Sequence, residues 1–464
     1  MALILAFLAI LFLLPAGPAG GQPRGDDPAR LLDIGWTLQM SAVKIVVHLD
    51  RPVRFRTVNA PDRLLVDLWP VQADRLRVVP VRTGVVGDVW QETLDARIVR
   101  MSIGLRRAAR YKFFTRAEPY KLAVILVPVW QATTPLPASV AYRKLRVETG
   151  RGSTAVHAVT VDLGDPRIEL RPVLASGVIP GHEPTGAAAT RHDAIAAING
   201  GFFTVPTGQP LGMVVIDGKL LSTPLPRRSV FAITTQGRPV IQPFEFRGRL
   251  ETDTGRRAPI SAVNRPPRSG GVAVYTPEYG PLTPAHRLSA VVRDGYVVGF
   301  ASGRVPIPAD GYVLSTAAWE THYLTETLQR QQRLRLDLAV TPGSIVHALG
   351  GGPRLVKDGE VFVPYEWEWF PRSLVMRRTS RSAVGITAAG KVVLVTVEGR
   401  NRENTGMNLY ELARFMQALG AVQAMNLDGG GSSTLVVGGQ VVNRAEREQR
   451  GVASMLVVVR RPGD

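Results

Sequence analysis

The 464 residues include no cysteine. This excludes a disulfide framework and any metal site built on thiolates. No His-rich or multi-Asp cluster occurs either, so neither a metal nor another cofactor is expected. Beyond the first residues, no segment has the length and purity of a transmembrane helix. The opening run Ala2–Leu14 is uninterrupted apolar, but it falls short of the ~20 residues that span a bilayer. It fits a signal-peptide hydrophobic region followed by the small-residue zone Pro15–Gly21, so residues 1–21 are read as an export signal. No Lys or Arg precedes that run, which leaves a weak signal or an uncleaved anchor as alternatives. Export without cysteine suits a bacterial envelope protein, periplasmic or wall-associated, that folds in any redox environment. Acidic residues are in the minority, 38 against 56 basic ones, for a formal charge of +18. Such an excess favours anionic partners. No basic block or aromatic-basic interleaving accompanies it, so nucleic acid is not expected and an envelope glycan is.

What is present reads as two domains. Apolar residues make up 45% of the chain and charged residues 20%, an ordinary globular balance. In Val43–Asp50 the odd positions are apolar, giving one buried face at period two. Val53 and Phe55, then Leu64, Val66 and Leu68, then Val99, Met101, Ile103 and Leu105 continue the alternation. Tyr120–Val127 closes the sheet. A small all-β, sandwich-like domain over about 33–130 follows. The runs "VKIVVHLDRPVRFRTVNAPDRLLVDL" and "YKLAVILVP" resemble the AMIN domain, which implies attachment to peptidoglycan or another envelope component. Between Arg51 and Ile125 stand 15 Lys/Arg against 7 Asp/Glu, and a merely solvated basic β-domain is the plainer alternative. Residues 131–140 have linker composition. The second domain, 141–461, is strand-rich with Gly and Pro turns and a few packed helices, so the fold class is α+β. Its clearest helix is Leu409–Leu419, capped by Asn408 and Glu411 and closed by Gly420.

Four segments of the second domain are able to carry chemistry. In Ala196–Phe203 an apolar strand runs into Asn199-Gly200-Gly201, which permits a sharp turn. Gly350–Gly352 allow close backbone approach, with Arg354 within reach of a phosphate. Arg381 opens one strand, and Glu398-Gly399-Arg400 ends the next. Finally, Met425–Leu427 delivers Asp428 into Gly429-Gly430-Gly431-Ser432-Ser433-Thr434. Successive glycine amides there can form an anion-binding nest beside a carboxylate. Taken singly, each segment is equally explained by turns and surface ion pairs.

The ordered set "AINGGFF", "GGGPRLVKDG", "RSAVGIT", "VEGR" and "GMNLYELARFMQALGAVQAMNLDGGGSSTLVV" resembles the phosphodiester glycosidase family over about 141–460. The resemblance implies hydrolysis of a sugar-1-phosphodiester at the glycosidic C1–O bond. It implies catalytic roles for Asp428 and for Glu398 as a second carboxylate. Asn199 would hydrogen-bond the sugar, Arg381 and the glycine amides would hold the phosphate, and Gly200, Gly201, Arg354, Arg400 and the loop residues Gly429–Thr434 would all contact the substrate. Two departures stand out. Glu398 occupies a position where relatives carry Asp, and "NRAEREQRGVAS" lacks the usual Pro after Asn443. The rival readings are an envelope glycosidase acting on glycans without phosphate and a non-catalytic wall-binding protein.

Overall fold

The structure is a computed structural model describing residues 28–461 apart from 40–41, 61, 74–75, 84, 107–108, 118, 129–135, 269, 318 and 445–449. The expected export signal and the first half of the expected linker lie outside the described residues.

Residues 29–128 form two five-stranded sheets. One contains Ala29–Gln39, Ala42–Leu49, Val71–Gln72, Ala109–Arg116 and Lys121–Pro128. The other contains Arg54–Ala60, Arg63–Trp69, Arg77–Thr83, Val86–Asp95 and Ile98–Leu105. The period-two pattern decides the buried face. Val43, Ile45, Val47 and Leu49 meet Leu64, Val66, Leu68, Val99, Met101 and Ile103 in one core, which is how two stacked sheets close a sandwich. Ala29–Gln39 extends into what reads as a polar spacer in sequence. Val86–Asp95 is exposed over its second half, and no clean alternation announces it.

The downstream part is built around two facing sheets. The seven-stranded sheet runs in the order Val140–Thr149, Gly152–Val161, Val392–Val397, Arg381–Thr387, Ala421–Asn426, Arg354–Lys357, Glu360–Val361. The five-stranded sheet has the order Ile168–Leu174, Ser454–Arg460, Ala196–Asn199, Leu435–Val437, Gln440–Val441. Val384, Leu394 and Met425 of the first pack on Ile198, Leu435 and Leu456 of the second.

The helix Leu409–Ala418 covers the other face of the seven-stranded sheet. Leu409, Leu412, Ala413 and Met416 join Val393, Val395 and Ala424 there, and Asn408 and Glu411 form the expected capping box. Gly385 lies close under this helix, where a Cβ would stand 2.6 Å from the Met416 methyl and oblige that flexible side chain to shift. The other described α-helices, Thr185–Arg191, His322–Thr325 and Arg372–Met376, are short.

Between these elements lie a five-stranded sheet that includes Ile345–Gly350 and Ser229–Thr234, and a seven-stranded sheet within 245–341. The latter has its own core of Leu250, Val274 and Leu314.

Register positions the site. Arg381 pairs with Val397, and Ala383 pairs with Asn426. On the facing sheet Ile198 pairs with Leu435. One end of the sandwich therefore receives Glu398, Asp428 and Asn199-Gly200 from adjacent strand ends. Asp428 and Glu398 leave strands two positions apart, so their Cα atoms are roughly 10 Å from each other by ordinary strand spacing.

Candidate active site

Asp428 follows its strand into a single 3-10 turn, Gly430–Ser432. Its Oδ1 accepts the Gly429 amide at 2.9 Å, and its Oδ2 accepts the Ser432 hydroxyl at 2.6 Å. Arg450 completes the cluster: Nη2 lies 3.3 Å from Asp428 Oδ2, and Nε donates to Ser432 Oγ at 2.8 Å. The Arg450 guanidinium also lies over the Phe203 ring, 5.6 Å from its centroid. Burial pushes the Asp428 carboxyl above its ordinary value. The Ser432 hydroxyl, the Arg450 charge and the Gly429 amide oppose that rise without cancelling it.

Several amides of the glycine loop have acceptors within the protein. Gly429 donates to Asp428, Gly430 to the Ser380 carbonyl at 3.0 Å, and Ser432 and Ser433 to the carbonyls of Gly429 and Gly430. The turn folds inward, and backbone amides removed from water need such acceptors. Ser432, Ser433 and Thr434 are buried, and the Ser433 hydroxyl has no hydrogen-bond partner among the described residues.

Asn199 is fully buried and clasps three strand ends. Its Nδ2 donates to the Asp428 carbonyl at 2.7 Å, while Oδ1 accepts the Ser382 hydroxyl at 2.6 Å and the Thr434 amide at 3.1 Å. The amide group expected to meet a sugar is thus engaged within the protein. Gly200 receives the Asp428 amide at 3.1 Å, and a Cβ on it would stand 2.6 Å from the Ser454 carbonyl oxygen. A Cβ on Gly201 would overlap the Gly350 carbonyl. These glycines let backbones touch.

Arg381 does not face the loop's open side. Residues 381, 383 and 385 share the face beneath the helix, and Arg381 is 4% exposed. Its guanidinium donates to the carbonyls of Met407 at 3.1 Å, Leu374 at 2.8 Å and Arg377. Strand parity and the need to satisfy a buried cation account for these carbonyl contacts. Arg354 is half-buried, with Nε on the Val356 carbonyl at 3.2 Å. Arg400 is exposed, two residues past Glu398.

Glu398 is held differently. Its Oε1 accepts His157 Nε2 and the Arg444 amide, both at 3.1 Å, and its Oε2 accepts Asn404 Nδ2 at 3.0 Å. His157 Nδ1 in turn meets the Tyr142 hydroxyl at 2.8 Å. Burial pushes Glu398 up, yet the His157 hydrogen bond, the Arg444 amide and the nearby His157 and Lys144 outweigh it and hold the carboxyl below its ordinary value. Glu398 lines a polar cleft of about 660 Å³ together with Lys144, Arg146, Asn404 and Arg444. A second cleft, about 230 Å³ and mostly apolar, adjoins the Asp428 side. Phe202, Phe203, Gly350, Gly351 and Phe370 line it, with Arg228 as its charged group.

Sequence reasoning missed Arg450 and His157. Arg450 lies in the tail where the family pattern breaks, so no motif marks it. His157 is a lone histidine in a strand of small and β-branched residues. Among the described residues, Glu169, Asp217 and His347 place ligand-type atoms within 4.8 Å of one another. However, His347 Nδ1 accepts the Asp217 amide at 3.3 Å, which puts the ring proton on Nε2, where Glu169 takes it at 3.0 Å. A metal would have to displace that proton, so this trio fits a hydrogen-bonded pair better than a metal centre.

Comparison with known proteins finds the following similarities. Residues 286–459 match the family described as phosphodiester glycosidase. The N-acetylglucosamine-1-phosphodiester alpha-N-acetylglucosaminidase of Bos taurus is 29% identical over 201 residues, covering 40% of this chain and 35% of that protein. Its Homo sapiens counterpart is 40% identical over 65 residues, 14% of this chain and 12% of that protein. The chain therefore spans about a third or less of the curated relatives it matches. Two crystal structures share the fold across nearly the whole chain. A hypothetical protein from Synechocystis has a TM-score of 0.65 at 24% identity, covering 96% of this chain and 84% of that one. A Burkholderia pseudomallei K96243 protein whose name suggests export has a TM-score of 0.58 at 21% identity, covering 94% and 97%.

Proposed function

We propose that this protein is an exported hydrolase cleaving the glycosidic C1–O bond of sugar-1-phosphodiesters in envelope or exopolysaccharide glycans. The observation that carries this reading is the cluster Asp428–Ser432–Arg450: a carboxyl biased towards its protonated form, with a guanidinium against it, beside an apolar cleft. Hydrolysis at C1 breaks the C1–O bond, a water oxygen replaces it, and a phosphomonoester leaves. Asp428 supplies or removes the proton, and Arg450, 40% exposed, neutralises charge gathering on the leaving phosphate. Glu398, kept ionised, is the second carboxylate and stabilises positive charge at the sugar. Pairs of carboxyls pushed in opposite directions are a usual source of such divided roles. Asn199 and Arg381 act as positioning residues, fixing the strand ends that carry Asp428.

The segment 1–21 serves export. The two-sheet domain, rich in Arg on its surface, holds the enzyme to peptidoglycan or another envelope component. The test is release of free sugar and phosphomonoester from UDP-GlcNAc and from GlcNAc-1-phospho-sugar substrates. Turnover by the wild type that Asp428→Asn abolishes is the expected result. Turnover of plain glycosides with no phosphomonoester formed would replace this reading with an ordinary envelope glycosidase.

A further inference from the structure

The loop between Ser222 and Ser229 is flanked by four arginines that form no salt bridge with a carboxylate among the described residues, although Arg228 feels the charge of the buried Glu368. Arg228 stands in the apolar cleft with its guanidinium 3.5 Å from the Phe370 ring centroid, and it donates to the Trp369 carbonyl at 3.1 Å. Arg227 lies over the rings of Trp369 and Trp367, at 5.2 and 5.9 Å. Earlier in the loop, Arg265 donates to the Thr223 carbonyl at 3.1 Å and Arg268 to the Pro224 carbonyl at 3.2 Å.

A guanidinium carries five N–H donors, so one carbonyl leaves most of them unused. Arg228 and Arg265 are partly shielded from water, where a charge without a close counter-charge is unfavourable, while Arg227 and Arg268 present theirs to solvent. For Arg265, burial and the neighbouring Arg268 pull the guanidinium down to about 10. Several other partly buried arginines meet carboxylates, Arg100 with Asp67, Arg191 with Glu183 and Arg378 with Glu411, while Arg381 and Arg354 rest on backbone carbonyls. Two buried hydroxyls at the start of this segment, Ser222 and Thr223, have no hydrogen-bond partner among the described residues.

The row is continuous with the site of Asp428. Arg450 lies over Phe203. Phe203, Phe370, Leu225 and Arg228 line one cleft. Pro224 and Thr223, the acceptors for Arg268 and Arg265, directly precede Leu225.

We propose that Arg227, Arg228, Arg265 and Arg268 form a track for the phosphates that flank the scissile one, so that the substrate is a polymer of repeating sugar-phosphodiester units rather than a lone nucleotide sugar. This rests on the reading of Asp428 as the hydrolytic centre. Arg450 meets the scissile phosphate, Arg227 and Arg228 the next, and Arg265 with Arg268 one further along. The exposed faces of Trp367 and Trp369 offer flat apolar surfaces for the sugars between.

The experiment compares UDP-GlcNAc with oligomers of GlcNAc-1-phosphate of increasing length, using the full chain. The wild-type kcat/KM rises at least tenfold from the single unit to the oligomer, through KM, and the gain shrinks as salt increases because released counterions drive such binding. In an Arg265→Gln/Arg268→Gln double variant the ratio of oligomer to single-unit kcat/KM falls at least tenfold, while Arg265→Lys/Arg268→Lys keeps most of it. Calorimetric binding of the longest oligomer to Asp428→Asn protein, with and without the double substitution, reads the track independently of turnover. Turnover of both substrates with a ratio untouched by the double substitution overturns the track and leaves the hydrolase reading standing. No turnover, but oligomer binding that depends on the two arginines, overturns the hydrolase reading and keeps the track. Neither turnover nor arginine-dependent binding overturns both.

Discussion

Asp428 and Glu398 leave the same end of one antiparallel sheet, yet the fold treats them in opposite ways. Glu398 receives three donors from three different segments, His157, Asn404 and the Arg444 amide, so its charge is supported on every side. Asp428 receives its donors from its own loop and from one partly exposed arginine, and burial prevails over them. Strand register alone delivers both carboxylates to the site. The second layer of contacts decides which one stays charged and which one is ready to exchange a proton. That layer comes from residues far away in sequence.

The largest expected effect tests this division directly. Asp428→Asn lowers kcat by about a thousandfold or more, the scale of losing an essential acid/base group together with its local electrostatics. Glu398→Gln, which removes a supporting charge, lowers it by about ten- to a hundredfold. Steady-state kinetics on a sugar-1-phosphodiester measures both. Equal losses would mean that both carboxylates react directly and that the division of roles is wrong.

Next in size is Arg450. Arg450→Ala reduces kcat/KM by about ten- to a hundredfold. It also removes an influence that lowers the Asp428 pKa, so the pH limb governed by Asp428 moves to higher pH. Arg450→Lys restores the limb more fully than it restores the rate, because a point charge replaces a planar fork. A limb that does not move when Arg450 is removed would dissociate this arginine from Asp428.

Stability separates the two carboxylates with the opposite sign. The folded Glu398 carboxyl sits below its ordinary 4.5. Its contribution is therefore fully present above that value and lost as pH falls through the folded one. Glu398→Gln costs about 1–3 kcal/mol at neutral pH, the usual penalty for unsettling buried hydrogen-bonded groups. Asp428 is raised in the fold, so its ionisation at neutral pH costs stability, and that cost is relieved as pH falls. Asp428→Asn accordingly keeps or raises Tm at pH 7, while Glu398→Gln lowers it by a few degrees. Thermal denaturation at pH 7 and pH 4 checks both signs.

Much of this arrangement was legible in the sequence, but only to the level of strand ends. Period-two alternation located strands such as Val43–Leu49, and the apolar run ending in Glu398-Gly399-Arg400 located Val392–Val397. The capping residues Asn408 and Glu411 marked the helix. The glycine loop marked Asp428. Side-chain destination was harder. Arg381 reads as a phosphate ligand until its parity with Ala383 and Gly385 puts it under the helix, a signal that was present but needs the helix's position to interpret. Asn199 reads as a sugar ligand because an Asn-Gly-Gly turn looks the same whether its amide faces solvent or three strand ends. Arg450 and His157 reach the site across 22 and 241 residues of chain, and local pattern contains no trace of such distant pairings.

The smallest effect comes from the residue behind Glu398. His157 Nε2 meets Glu398 and His157 Nδ1 meets the Tyr142 hydroxyl, so the ring links the two. His157→Gln keeps a donor of shorter reach and loses the ring that stacks on Tyr142 at 6.1 Å between centroids. It costs about 1 kcal/mol of stability and moves the Glu398 titration upward, so the acid loss of stability begins at higher pH. Tyr142→Phe removes only the outer hydrogen bond and costs less. Since neither residue touches the Asp428 cluster, the limb set by Asp428 stays in place in both variants. Were His157→Gln to shift that limb instead, the two carboxylates would be coupled through the Arg444 and Asn443 segment, and they would titrate as one unit rather than as separately tuned groups.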